Sequence, residues 1–211
     1  IDCVTEYCSK PPGQAHCQAG RVKVLRLNES ESYGPFFARY LASKLWGGQE
    51  FLVQVDSHTE FKQDWDAKLK AQLRLTDSFP NSVISNYPPS HGVPWRGVNQ
   101  HTPEALCDIH FADDIMRLEH TSRRFKQVGD NPKPRHSLYI AAGFFATHAT
   151  YLLAVPYDPS LPYIFMGEEL IMSVRAWTGG FDSYAPTEHI CSHMYVRMES
   201  SKSWVSRMHS H

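Results

Sequence analysis

Alternating apolar and polar positions predict strands and helices in turn along the first 90 or so residues. Residues 21–27 alternate polar and apolar side chains, which is typical of a half-buried strand. A helical pattern with one mostly apolar face opens at Pro35, and residues 60–75 carry a second amphipathic helical pattern. Residues 51–55 and 82–85 are short apolar runs of strand length. This order predicts an α/β fold with a largely parallel sheet flanked by helices.

The second half of the chain is less regular. Residues 88–103 are rich in Pro, Gly, His and Asn and are predicted to form a long loop, a type of segment that often covers a site. Residues 120–136 are basic and polar, which predicts a solvated connection, and residues 137–146 are apolar around a central glycine. Residues 167–177 predict a third helix, and residues 184–196 an extended segment.

Composition narrows the class of protein. The 211 residues are 42% hydrophobic, which is enough to bury a core without metals or disulfides. Lys and Arg number 21 against 22 Asp and Glu, so the basic excess of a nucleic-acid binder is missing. No apolar run is long enough to span a membrane.

Three of the five cysteines crowd the first 20 residues, at Cys3, Cys8 and Cys17. Their spacing does not match a zinc motif, so residues 1–20 are predicted to be an irregular lead-in with one local disulfide or none. A glycosylation acceptor pattern begins at Asn28. The early cysteines and this pattern lean towards the secretory pathway, the Golgi lumen for instance, and leave a cytoplasmic location open.

The sharpest candidate for chemistry is Asp56-Ser57-His58, which follows the apolar run directly. Ligands of α/β sheets sit at the carboxyl ends of strands, and Asp56 and His58 would point to the same side if the extended backbone continued. Mixed oxygen and nitrogen ligands suit a divalent metal such as Mn²⁺. An ordinary turn with a helix cap has the same residues.

Two further features are ambiguous when taken alone. Glu168 and Glu169 open the third predicted helix, where acidic side chains are favoured by the helix dipole, but they could also form a carboxylate pair at the floor of a pocket. His193 lies in the extended segment and could be a packed histidine or a ligand. Gly-x-Ser-x-Gly, HExxH and P-loop patterns are missing, which disfavours common hydrolases, zincins and P-loop enzymes.

Taken together, several segments resemble the GlcNAc-transferase family that modifies hydroxyproline or threonine in proteins, and more distantly the polypeptide GalNAc-transferases. The resemblance runs in order from about residue 20 to residue 198. It rests on residues 33–39, 51–61, 65–66, 141–145, 166–170, 173–182 and 193–197.

The resemblance implies a GT-A fold, a UDP-sugar donor, a protein or peptide acceptor and retention of anomeric configuration. It implies metal ligation, by Mn²⁺ or another divalent metal, through Asp56, His58 and His193. It implies that Glu168 and Glu169 are catalytic. The residues it implies for donor binding are Arg39, Asp56, Gly143, Glu168 and Arg175.

The resemblance also divides the chain into the lead-in, a GT-A-like domain over residues 21–198 and a tail over residues 199–211. The strand and helix that hold the uridine in GT-A enzymes are expected to be lacking before residue 20. We therefore expect an uncovered sheet edge, which a homodimer could cover. A non-catalytic sugar- or nucleotide-binding relative of the same fold, and an unrelated His-rich metalloprotein, remain as alternatives.

Overall fold

The structure is a computed structural model of the chain that describes residues 2–91, 103–112, 117–123, 133–165 and 167–195. The α-helices are α1 (Cys3–Cys8), α2 (Gly13–Gln18), α3 (Pro35–Ser43), α4 (Trp65–Arg74), α5 (Tyr151–Ala154) and α6 (Glu168–Thr178). The strands are β1 (Phe51–Val55), β2 (Thr59–Phe61), β3 (Ser82–Ser85), β4 (Ala105–Ala112), β5 (Arg117–Arg123), β6 (Arg135–Ser137), β7 (Phe144–His148), β8 (Asp182–Ala185) and β9 (Cys191–His193).

The central sheet has five strands in the order β1-β7-β3-β8-β6. Only β3 and β8 pair in parallel; the other three pairs are antiparallel. The α/β class is confirmed, but the expectation of a mostly parallel sheet is wrong. The reason is β7, which inserts between β1 and β3 and runs antiparallel to both. An apolar run indicates a buried strand but does not fix its direction.

The sheet is covered on both faces by helices, as the alternation of strand side chains requires. On β7, Phe145 packs in one core cluster with Phe36 of α3 and Met172 of α6. Its neighbours Phe144 and Ala146 point the opposite way and pack in a second cluster with helix α4. Within the described residues, no helix is long and apolar enough to cross a membrane.

Several local predictions differ from the structure. Residues 21–27 form no strand, because no described strand pairs with them and their apolar side chains stay about half exposed. The second helix begins at Trp65 rather than residue 60, because β2 pairs with β9 instead. The basic stretch from residue 120 contains the end of β5, which forms a hairpin with β4. The lead-in is not irregular: α1 and α2 are joined by the Cys8–Cys17 disulfide.

Other predictions agree. The runs at residues 51–55 and 82–85 are β1 and β3. The first helix begins at Pro35, and the third occupies Glu168–Thr178 after Gly167, whose positive φ of 84° suits glycine. Strand β1 lies at the end of the sheet, and its outer side pairs with no strand in the described part of the chain. Most of the predicted loop at residues 88–103 and all of the tail at 199–211 lie outside the described residues.

One edge of the central sheet collects most of the candidate residues. The carboxyl ends of β1 and β3 meet the amino end of β7 there, because β7 runs antiparallel to both. Asp56 follows β1, Tyr87 lies shortly after β3, and Gly143 directly precedes β7. The helix α6 begins close to this edge, since Ala142 contacts Glu169.

Candidate functional site

Asp56 begins a sharp turn at the end of β1. Its backbone N–H donates to the carbonyl of Gly143 at 2.9 Å, and its own carbonyl accepts from the Thr59 hydroxyl at 2.7 Å. His58 has a left-handed backbone with φ of 65°. The chain therefore turns back at once into β2, and the extended geometry that would align Asp56 and His58 on one side does not persist.

His193 is held against this turn. It pairs with Thr59 in the register of β9 and β2, and its Nε2 lies 3.1 Å from the carbonyl oxygen of Ser57. The ring of Tyr195 packs edge-on against the His193 ring, with centroids 4.6 Å apart. The structure thus brings His193 to the turn that carries Asp56 and His58, although more than 130 residues separate them in the sequence.

Arg39 joins the two acidic parts of the site. Its Nη1 lies 2.5 Å from Glu168 Oε2, and its Nη2 lies 3.7 Å from Asp56 Oδ1. The side chains of Arg39 and Glu168 are only 16% and 5% exposed, whereas that of Asp56 is 48% exposed. Arg39 and Glu168 are therefore largely shielded from water, while Asp56 faces it.

Burial raises the pKa of Glu168 from its ordinary 4.5 to about 7. The nearby Arg39 opposes this rise, and the charges of Glu169 and Asp56 add to it. Arg39 contacts two carboxylates, Asp56 and Glu168, and Glu168 can lower its energy by holding a proton. Glu168 is consequently balanced between its neutral and ionised forms near neutral pH.

Glu169 makes different contacts from its neighbour. Its Oε1 accepts from the backbone N–H of Ala142 at 2.7 Å, and its Oε2 accepts from the hydroxyl of Tyr87 at 2.7 Å. Burial raises the pKa of Tyr87, and the negative charge of Glu169 raises it further. Tyr87 therefore stays a donor at any ordinary pH.

The segment that leads to Gly143 lies outside the sheet ladder, and side chains satisfy its amides. The N–H groups of Ile140 and Ala141 donate to the hydroxyls of Ser173 and Ser85, both at 2.8 Å, and Ala142 follows with Glu169. A Cβ added to Gly143 would lie 3.2 Å from Asp56 Oδ2. Glycine at this position permits the close approach of the Asp56 carboxylate.

Arg175 is not brought into this group. It lies two turns along α6 from Glu168, about 10 Å at the usual helical rise. Its guanidinium contacts the carbonyl of Pro156 at 2.5 Å and the carboxylate of Asp158 at 3.6 Å. The structure therefore ties Arg175 to the connection after α5.

The residues fit a divalent metal in chemistry but are not gathered around one point. One carboxylate and two imidazoles are ligands that Mn²⁺ accepts. Asp56 is exposed enough to change rotamer. However, no group of three or more His, Cys, Asp or Glu side chains among the described residues stands close enough to hold an ion as placed. Asp56, His58 and His193 would have to reorient to bind together.

Sequence reasoning did not single out several residues of this site. Tyr87 directly precedes the predicted loop at residues 88–103, and no pattern marks it or the hydroxyls of Ser85 and Ser173. Gln54 Nε2 donates to the carbonyl of Ala142 at 2.7 Å. An isolated polar residue in an apolar strand, such as Gln54 in β1, is the one local signal that could have pointed to this contact.

Comparison with known proteins relates the sequence and the fold to glycosyltransferases. The sequence model of the Glycosyltransferase (GlcNAc) family matches residues 3–211. The fold is similar to the crystal structure of GalNAc-T7 with UDP, GalNAc and Mn²⁺, with a TM-score of 0.64 and 19% identity. The match covers 92% of this chain and 38% of the GalNAc-T7 chain, so this chain spans well under half of that relative's length. No curated protein sequence matches significantly.

Proposed function

The chain belongs to the Glycosyltransferase (GlcNAc) family, and we propose that it transfers GlcNAc or a similar sugar from a UDP-sugar to a protein or peptide hydroxyl with retention of configuration. The single observation that carries this proposal is the cluster of Arg39, Asp56 and Glu168 at the carboxyl edge of the sheet. Open α/β sheets bind ligands at this edge. The acceptor class that the resemblance implies is a hydroxyproline or threonine side chain.

Asp56, His58 and His193 would hold the metal, with Mn²⁺ as the first candidate. When bound, such a cation supplies charge that neutralises the departing diphosphate. The two carboxylates beside Arg39 support this proposal, because a divalent cation would offset their negative charge and attract a nucleotide diphosphate. The turn at His58 places its backbone beside β9, from which His193 comes.

Glu168 is the residue of this cluster that would meet the donor sugar. Arg39 fixes one oxygen of its carboxylate at 2.5 Å, so the group has a defined orientation and can accept a hydrogen bond from a sugar hydroxyl. No side chain is required as a strong base. In a retaining transfer on one face, the acceptor hydroxyl can pass its proton to the departing phosphate while its oxygen bonds to the sugar carbon. Gly143 leaves room for the Asp56 carboxylate, because a Cβ there would lie 3.2 Å from Asp56 Oδ2.

A second candidate function is a non-catalytic relative that binds a sugar or nucleotide. It is favoured by the dispersed positions of Asp56, His58 and His193, which form no ready-made metal site. The two candidates differ in turnover. A binding module would be stabilised by UDP or UDP-GlcNAc but would release no UDP.

The test is a thermal shift measurement with Mn²⁺, alone and with UDP or UDP-GlcNAc, followed by an assay of UDP release. We expect a Mn²⁺-dependent rise in Tm with UDP that His58→Ala abolishes. His148→Ala is the matched control, because His148 lies at the opposite end of the sheet, paired with Phe51. An undiminished response in His58→Ala would exclude His58 as a ligand. Stabilisation without UDP release, across a panel of hydroxyl-bearing peptides, would favour the non-catalytic candidate.

A further inference from the structure

Glu169 differs from Glu168 in what its carboxylate does. Both of its oxygens accept strong hydrogen bonds of 2.7 Å, one from the backbone of Ala142 and one from the phenol of Tyr87. The two donors come from different parts of the fold: Tyr87 from the segment after β3, and Ala142 from the segment before β7. The Glu169 side chain therefore links the start of α6 to two segments at the sheet edge.

The backbone of Ala142 is held through both of its polar groups. Ala142 donates its N–H to Glu169, and its carbonyl accepts from Gln54 Nε2 at 2.7 Å. The next residue, Gly143, accepts the N–H of Asp56 at 2.9 Å and faces the Asp56 carboxylate. A displacement of the Ala142 backbone would therefore also displace Gly143, which contacts Asp56 directly.

The Tyr87 side of this link is also anchored. The hydroxyl of Tyr195 donates to the carbonyl of Pro88 at 2.6 Å, and the N–H of His193 donates to the carbonyl of Pro89 at 3.0 Å. The segment that carries Tyr87 is therefore tied to the strand that carries His193. Through Tyr87 and Glu169, both sides of the proposed metal site are connected to the start of α6.

We propose that Tyr87 and Glu169 form a clamp that fixes the Ala142–Gly143 turn against Asp56, and that Glu169 is a positioning residue rather than a reacting one. The inference rests on the proposed function, because it assigns roles within that site. It revises the expectation that both glutamates at the start of α6 are catalytic. A clamp needs hydrogen-bonding atoms in the right places and does not need a charge.

Because the clamp needs hydrogen-bonding atoms and not a charge, two variants of Glu169 should behave differently. Glutamine keeps an oxygen that can accept from Ala142 and an amide that can donate to the Tyr87 oxygen, so Glu169→Gln should preserve the clamp. Glu169→Ala removes both contacts and leaves the Ala142 N–H without this acceptor. We expect Glu169→Ala to raise the KM for the UDP-sugar and the Mn²⁺ concentration for half-activation by about tenfold, and Glu169→Gln by less than about threefold.

Tyr87→Phe removes one of the two contacts and should fall between these variants. Because Tyr87 acts through Glu169, the double variant Tyr87→Phe/Glu169→Ala should be no worse than Glu169→Ala alone. Tyr184→Phe is the matched control. It also removes a tyrosine hydroxyl, one that lies 3.0 Å from Ser78 Oγ, and it should lower Tm without changing the thermal shift caused by Mn²⁺ and UDP.

Two readouts decide the inference. If Glu169→Gln lowers kcat as severely as Glu169→Ala at unchanged KM, the charge of Glu169 acts in the reaction and the clamp is wrong. If the Tm losses of Tyr87→Phe and Glu169→Ala simply add in the double variant, the two residues are not coupled and the clamp is also wrong. A wild-type protein without ligand response or turnover would refute the proposed function instead, and the additivity of Tm would still decide the clamp.

Discussion

Replacing Glu168 with Gln should change how the stability of the protein depends on pH. Burial raises the pKa of Glu168 from 4.5 to about 7 in the folded chain, whereas in the unfolded chain the group is solvated and titrates near its ordinary value. Between these two values the folded state binds more protons than the unfolded state. The contribution of Glu168 to stability is therefore fully present at a pH below 4.5 and is lost as the pH rises through 7.

The size of this effect follows from the same two values. Each tenfold difference in proton affinity is worth about 1.4 kcal/mol, so ionising Glu168 lowers the free energy of unfolding by roughly 3 kcal/mol above pH 7. About 2 to 3 kcal/mol of that loss falls between pH 5 and pH 8. Glu168→Gln is neutral at every pH and keeps the shape of the side chain, so it should lack this component of the pH dependence.

The assay is urea unfolding followed by tryptophan fluorescence at several pH values between about 5 and 8. The quantity to compare is the difference in unfolding free energy between Glu168→Gln and wild type, because contributions from other titrating groups cancel in it. We expect the unfolding free energy of Glu168→Gln, relative to wild type, to increase by roughly 2 kcal/mol or more from about pH 5 to pH 8. Glu6→Gln is the control, because it makes the same substitution at an exposed side chain beside Lys10, outside the site.

A difference that stays constant, or that moves against Glu168→Gln as the pH rises, would refute the reasoning. It would mean that Arg39 outweighs the burial of Glu168 and keeps the carboxylate ionised throughout. The Glu168 carboxylate would then stay ionised beside Arg39, as carboxylates in exposed ion pairs do, although the two side chains are only 16% and 5% exposed.

Two further predictions concern other parts of the site and the cysteines. Gly143→Ala should cost less than about 1 kcal/mol of stability, because the exposed Asp56 side chain can move by the few tenths of an ångström that the new methyl requires. The same movement should diminish the thermal shift caused by Mn²⁺ and UDP, and an unchanged shift would show that the position of Asp56 does not matter. Iodoacetamide at about pH 8 should alkylate the exposed Cys3 and spare the buried Cys191, because the thiolate is the reactive form and burial raises the pKa of Cys191 to about 12. Peptide mapping that found equal labelling of the two would contradict the buried position of β9.

The sequence predicted those elements whose signals are local. Strand β1 is an apolar run followed at once by polar residues, and α6 is bounded by Gly167 and Gly179 with a helical period between them. Such signals need no knowledge of the rest of the chain. The strand predicted at residues 21–27 has the period of a strand but no neighbouring strand among the described residues, and a strand is only stable when it can pair.

The direction of the sheet and the inner contacts of the site depend on distant residues, which explains why they were not predicted. β7 lies between β1 and β3 although it follows them by more than 50 residues, and nothing in its own sequence announces this position. The contact of Tyr87 with Glu169 spans 82 positions. The residue pattern singled out Asp56, His58, Glu168, Glu169 and His193 as ambiguous candidates. Their roles, and the choice of Arg39, Gly143 and Arg175, came from the resemblance to a family and remain proposals.

The charges of the site give a physical reason for coupling between ligand and protonation. Asp56 and Glu168 both contact Arg39, and Glu168 is the carboxyl group that burial keeps partly protonated near neutral pH. Positive charge placed beside Asp56 would stabilise the ionised form of Glu168, and by linkage ionised Glu168 would bind that charge more tightly. Arg39 contacts both carboxylates and so connects the two events. A buried glutamate whose ionised fraction rises when a cation arrives would accept a hydrogen bond from a sugar hydroxyl more readily in the loaded site than in the empty one.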